Sequence, residues 1–203
     1  MQADEGARLI SGFNREMDKE KYQEFFHSGR LTEILNREPA TANDVFFLPA
    51  GRVHTIGKGL LLAEIQQTSD ITYRIYDFDR VGADGKKREL HVEEALDAID
   101  YKQYEEYKTS YEEKVDAPAH LVSSAYFQTN RLDLTQTIQR DYRAVDSFVI
   151  YVAVGGSAKL QVGEKTYSIK MGQAMLIPAA IEEVTIIPDE SLNLLESWVP
   201  NPS

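Results

Sequence analysis

Short runs of β-branched and aromatic residues, punctuated by Gly, Pro, Asn and Asp, leave this chain little choice but short strands joined by tight turns. The runs span residues 44–48, 60–66, 72–77, 148–154, 158–162, 165–169, 174–177 and 183–187. Helical spacing is confined to brief insertions. Tyr22, Phe25 and Phe26 fall at i, i+3 and i+4, with Asp18 placed to cap the start and Gly29 to end it, which predicts a helix over 18–28. One further helical turn is expected at 31–35, before Pro39. Val92, Ala95, Leu96 and Ile99 keep helical spacing, and 101–113, rich in Tyr, Glu and Lys, reads as an ordered polar connection.

Composition removes several function classes. No apolar run approaches the roughly 20 residues a spanning helix needs, so no membrane partner is expected. A net charge of −11 over 203 residues argues against a nucleic-acid partner, which calls for a basic stripe. The absence of cysteine excludes disulfides, thiolate metal sites and thiol nucleophiles from these residues. The first residues lack the basic and apolar segments of a signal peptide, so a cytoplasmic location is the expectation. Oligomeric state is not readable.

The sharpest local feature is Asn43-Asp-Val-Phe-Phe-Leu-Pro-Ala-Gly-Arg-Val-His54. An apolar run stops at Pro49, Gly51 permits a positive-φ turn, and His54 follows three residues later. A neutral imidazole on a rigid strand end suits zinc or iron, whereas a lone histidine is more often an ordinary turn or core residue. Downstream, period-2 alternation puts Glu64 and Gln66 on one face, and Thr72, Arg74 and Tyr76 on another. Those faces either line a wet pocket or face bulk solvent. Arg80, Lys86, Lys87 and Arg88 form the one basic concentration, around an Asp84-Gly85 turn, and read either as a solvated hairpin tip or as a receiver of phosphate. His27, at a helix end, reads as structural, and His91 and His120 carry no spaced partner of the His-x-His kind. Trp198 is most simply a core residue.

The 43–54 pattern resembles the second motif of the cupin superfamily: a turn Gly, five residues, Pro-x-Gly, two residues, then a metal-binding His. Asn43 stands for the first Gly, which is tolerable because Asn visits the left-handed region. Lys58 replaces a late Asn. The stretch from Pro49 through Glu64 and Arg74 to Arg80, continued by Gly85-Lys-Lys-Arg-Glu-Leu-His91 and more loosely by 3–13 and 126–130, is similar to type I mannose-6-phosphate isomerases of the short bacterial kind. That resemblance implies a mainly β protein of cupin, double-stranded β-helix (jelly-roll) units with short helical insertions. Its domains would be 1–91, the C-terminal part of a catalytic cupin; 92–114, a helical and polar connection; and 115–203, a second, metal-free cupin.

The implied activity is the aldose–ketose isomerisation of mannose 6-phosphate and fructose 6-phosphate, with one zinc ion and a small sugar phosphate as substrate. His54 matches a zinc ligand, Arg74 the active-site arginine and Glu64 a pocket carboxylate that is the acid/base candidate. Arg80, Lys86 and Gln66 are the substrate-binding candidates. In the second unit Gly172, Pro178 and Ala179 fit the same pattern, but Ala180 and Glu183 occupy the Gly and His positions. The first cupin motif has no counterpart, so the remaining ligands are expected upstream of the segment matching 3–13, and the chain reads as the C-terminal portion of such an enzyme, inactive alone if those ligands are required. The competing expectation is a non-catalytic truncated cupin that binds a sugar or a protein partner.

Overall fold

The computed structural model describes residues 2–68, 71–78, 80–82 and 84–201. They fall into two compact units. One comprises Gln2–Leu60 with Thr68–Tyr107, and the other Leu61–Gln67 with Lys108–Ser203.

In the first unit β1 (Gln2–Ala3) and β2 (Arg8–Phe13) precede α1 (Lys19–His27), a 3-10 turn at Leu31–Glu33, β3 (Leu35–Pro39) and β4 (His54–Ile56). β5 (Leu60–Leu61) ends this stretch, and α2 (Val92–Ala95) follows. An antiparallel sheet runs in the order β3-β2-β4. The α1 boundaries follow the sequence signals. Asp18 is extended and its carboxylate accepts the Lys21 N–H, and Gly29 takes φ 73° just past the end. The core gathers Ile10, Phe13, Tyr22, Leu31, Ile34, Leu35 and Leu96.

Four expectations fail here in whole or in part. The turn at 31–35 tightens into a 3-10 turn, and Leu35 instead begins a strand, because pairing with β2 supplies more hydrogen bonds than one isolated helical turn. Residues 44–48 and 72–77 form no strand. The run expected over 60–66 is a strand only at β5. Their β-branched content favours extended backbone, but a ladder also requires a neighbour.

The second unit contains β6 (Pro118–Ser123), β7 (Gln128–Leu134), β8 (Ile138–Asp141), β9 (Val149–Val162), β10 (Lys165–Lys170), β11 (Ala174–Ile177) and β12 (Glu183–Trp198). The sheet path is β10-β9-β12-β7-β6, with β11 added to β9 and β8 to β12. β8 pairs with the first part of β12 and β7 with the second. These strands close around one apolar core that includes Leu132, Leu134, Tyr151, Leu160, Ile169, Ile186, Leu192 and Leu194, all 0–1% exposed. The fold is mainly β and cupin-like, as expected. The two runs expected at 148–154 and 158–162 are one strand that passes through Gly155 and Gly156. At Gly156 φ is 69° and a Cβ would lie 1.9 Å from the Ser191 carbonyl oxygen, so only glycine lets β9 and β12 cross so closely.

Candidate functional site

His54 begins β4, directly opposite Ser11 of β2. The turn before it is fixed at several points. Asn43 has φ 73° and Gly51 φ 82°, the left-handed conformations that the motif requires. The Arg52 N–H donates to the Pro49 carbonyl at 3.1 Å, and the Asp100 N–H donates to the Gly51 carbonyl at 2.9 Å. A Cβ on Gly51 would sit 2.4 Å from the Ala98 carbonyl oxygen. The Gly12 N–H donates to the Val53 carbonyl at 2.7 Å, so the strand is anchored up to His54. His54 itself is exposed, and its Nδ1 lies 2.9 Å from the Arg52 carbonyl oxygen. A carbonyl only accepts, so Nδ1 carries the proton and, in the neutral ring, Nε2 carries the lone pair.

Arg74 is half-buried. Its backbone N–H donates to His91 Nδ1 at 3.0 Å, the His91 N–H returns a bond to its carbonyl at 2.8 Å, and its guanidinium donates to the Glu89 carbonyl at 3.1 Å. His91 is thereby explained as a backbone acceptor, in keeping with its structural reading. Arg80 and Arg88 converge on Asp77, a carboxylate buried to 6% exposure. Arg88 Nε donates to Asp77 Oδ2 at 2.7 Å while its Nη2 also bonds the same carboxylate, and Arg80 Nη2 reaches Asp77 Oδ1 at 2.7 Å. The hydrogen bonds from Arg88, followed by those from Arg80, hold the Asp77 carboxyl well below the usual carboxylate range. Two guanidiniums share one carboxylate and are not fully neutralised by it. A shallow pocket is lined by Arg80, Val81, Gly82 and Arg88. Lys86 is exposed at the tip, where its N–H bonds the Asp84 side chain. Glu64 and Gln66 are both exposed and group with the second unit, whereas His54, Arg74, Arg80 and Lys86 lie in the first.

Sequence reasoning missed two clusters. Arg52 is buried against the rings of Tyr104 and Tyr107, which meet edge to face, and no local sequence signal links it to them. In the second unit Glu196 is fully buried, and four donors converge on it. Arg140 supplies Nε at 2.8 Å and Nη2 at 3.0 Å, Asn130 Nδ2 lies at 3.0 Å and the Tyr142 hydroxyl at 2.5 Å. Tyr142 also bonds Tyr151. Burial, reinforced by the neighbouring carboxylate, pushes both tyrosine hydroxyls far up. Burial opposes the charge on Arg140, but the bonds to Glu196 outweigh it and keep the guanidinium protonated. Glu183, by contrast, is exposed and tied to Gln139 at 3.0 Å and Arg143 at 3.4 Å.

Comparisons with known proteins point to one group of enzymes. Residues 118–191 match the family model "Mannose-6-phosphate isomerase, cupin domain". The mannose-6-phosphate isomerase ManA of Bacillus subtilis is 34% identical over 179 residues, which are 87% of this chain and 56% of that protein. Over most of its length the chain is thus similar to mannose-6-phosphate isomerases. The mannose-6-phosphate isomerase of Streptococcus mutans is 30% identical over 195 residues, covering 89% of this chain and 56% of the relative. A crystal structure of the Bacillus subtilis mannose 6-phosphate isomerase superposes with a TM-score of 0.84 at 28% identity, over 97% of this chain and 62% of that one. The chain therefore spans little more than half the length of these curated relatives.

Likeness to this enzyme family is compatible with a metal cofactor. Among the described residues, no three His, Asp or Glu side chains gather into a group that could hold an ion. His54 is a single donor where a catalytic zinc takes three, so these residues alone do not make a zinc site.

Proposed function

We propose that this chain carries part of the working machinery of a mannose-6-phosphate isomerase located in the cytoplasm. The reaction moves one proton from C2 of the open-chain aldose to C1 through an enediol, while a hydroxyl proton passes from O2 to O1, so that aldehyde becomes ketone without an external oxidant. The observation that carries this reading is His54, held on an anchored strand start with its Nδ1 committed to the Arg52 carbonyl, in a chain 34% identical to a named isomerase.

Each residue has a proposed role. His54 would be one protein ligand of the zinc of the intact enzyme. Arg74 would face developing negative charge on the enediolate, where an aimed cation contributes most. Arg80 and Lys86, with Arg88 beside them, would attract the phosphate, since a guanidinium pair only partly neutralised by Asp77 retains positive charge. Glu64 is the acid/base candidate and Gln66 a hydrogen-bonding one.

The test is turnover of mannose 6-phosphate by the full-length protein and its Arg74→Ala variant, alongside thermal unfolding. The backbone bonds of Arg74 to His91 do not need its side chain, so activity is expected to fall at least about 100-fold while Tm stays nearly constant. No turnover of mannose 6-phosphate by the full-length protein would support a non-catalytic cupin that binds a sugar or a protein partner.

A further inference from the structure

A cation is buried two residues before His54 in a place where packing alone would favour an apolar side chain. The Arg52 guanidinium carbon lies 4.2 Å from the Tyr104 ring centroid and 5.0 Å from that of Tyr107, while Nη2 is 3.7 Å from Asp100 Oδ2. The side chain is only 6% exposed, and its Nε has no hydrogen-bond partner. Burying a guanidinium with an unpaired N–H is unfavourable, and such sites are commonly as stable or more so with an apolar residue of similar volume. Stability alone therefore gives no reason for this arginine.

The tyrosines are themselves fixed. The Tyr107 hydroxyl donates to the Phe13 carbonyl at 2.7 Å and accepts the Tyr104 N–H at 3.1 Å. The Tyr104 hydroxyl donates to Asp100 Oδ2 at 2.9 Å, and the Asp100 N–H holds the Gly51 carbonyl. The Tyr107 ring packs on Gly12, where a Cβ would approach its Cε1 to 2.6 Å. Gly12 in turn holds Val53. Through these contacts the set is tied to Gly51 by the Asp100 N–H and to Val53 by the Gly12 N–H, the residues on either side of Arg52. The atom so secured is the Arg52 carbonyl oxygen, which receives the His54 Nδ1–H.

We infer that Arg52, gripped by Tyr104 and Tyr107, is a positioning residue for His54: it fixes the carbonyl that selects the His54 tautomer and ring orientation. The inference rests on the reading of His54 as a working residue, but it can be tested separately. In the full-length protein, Arg52→Met keeps a stem against the two rings and removes the cation. With the protein freed of zinc, nitrogen-resolved NMR of the histidine rings is expected to show His54 moving from one Nδ1–H tautomer to a mixture of both. Turnover of mannose 6-phosphate should lose about 10–100-fold in kcat with little change in KM, because a small misplacement of a reacting group has that effect. Tm should hold or rise. Tyr104→Leu, which removes one ring of the grip, should show the same changes in milder form and serves if Arg52→Met does not fold.

An unchanged His54 tautomer in the folded variants, or a kcat loss that simply follows unfolding, overturns the inference. Failure of the underlying reading looks different. There, His54→Gln retains full turnover, and the NMR arm alone decides whether Arg52 positions the ring.

Discussion

Residues 43–54 and 172–183 follow the same local plan and end in different chemistry. Each opens on a left-handed residue, Asn43 or Gly172, and each closes a turn on a proline carbonyl, which accepts the Arg52 N–H at 3.1 Å in one and the Ile181 N–H at 2.9 Å in the other. Five residues after the proline stand His54 and Glu183, both at the start of a strand. In the first case the turn is pinned from outside by Ala98, Asp100 and the Tyr104–Tyr107 grip, and the side chain it presents has one ring nitrogen committed to the Arg52 carbonyl. In the second, Glu183 is absorbed into a surface ion pair, and the polar group of the interior is Glu196, with four donors around it. The two turns fix equivalent positions, and what differs is the support around them.

Breaking the interior of the second unit should have the largest effect on stability. Glu196→Ala strands Arg140 among Tyr142 and Tyr151, and denaturant unfolding should report a loss of about 3–5 kcal/mol. Replacing both charges, as Arg140→Met with Glu196→Met, should recover most of it, and no recovery would mean the pair is not the stabilising unit. Next comes the turn itself. Gly51→Ala meets both a positive φ and the Ala98 carbonyl and should cost about 1–3 kcal/mol, whereas Ala180→Gly at the equivalent place should cost less than about 1 kcal/mol. Equal costs would erase the difference in support between the turns.

The smallest effect concerns Asp141, whose carboxyl is held down at about 2 by the hydrogen bonds from Arg143. A carboxyl lowered on folding stabilises the folded state above its unfolded value of about 3.9, and that contribution fades as pH falls from there through about 2. Both side chains are more than half exposed, so the effect on Tm should be slight and should vanish in the Asp141→Asn variant. A midpoint equally pH-dependent in that variant would rule out this assignment.

Much of this was legible in the residues. The Asn43 and Gly51 conformations, the α1 helix with its Asp18 cap, β11 and the His54 turn all follow from local chemistry that the sequence displays. β7 was not legible, because Gln-Thr-Asn-Arg-Leu-Asp-Leu buries residues on both faces. Asn130 is satisfied by the distant Glu196, and Arg131 by its near neighbour Asp133 and by Tyr111 twenty residues upstream, which together restore what alternation would have forbidden. The run at 183–187 stops short of Pro188, where its β-branched character gives way to Pro, Asp and Glu. The ladder nonetheless continues by shifting register between Pro188 and Leu192, a bulge that tolerates proline. Arg52 escaped for a similar reason: its partners lie about fifty residues away in a stretch that has polar composition and no regular structure.

The central claim is that the first turn carries a working residue and the second a structural one. His54→Gln and Glu183→Gln, made in the full-length protein and assayed for mannose 6-phosphate turnover and Tm, test it directly. The expected result is a loss of about 100-fold or more for His54→Gln at nearly unchanged Tm, and full turnover for Glu183→Gln. Full turnover in the His54 variant, or equal losses in both, would contradict it.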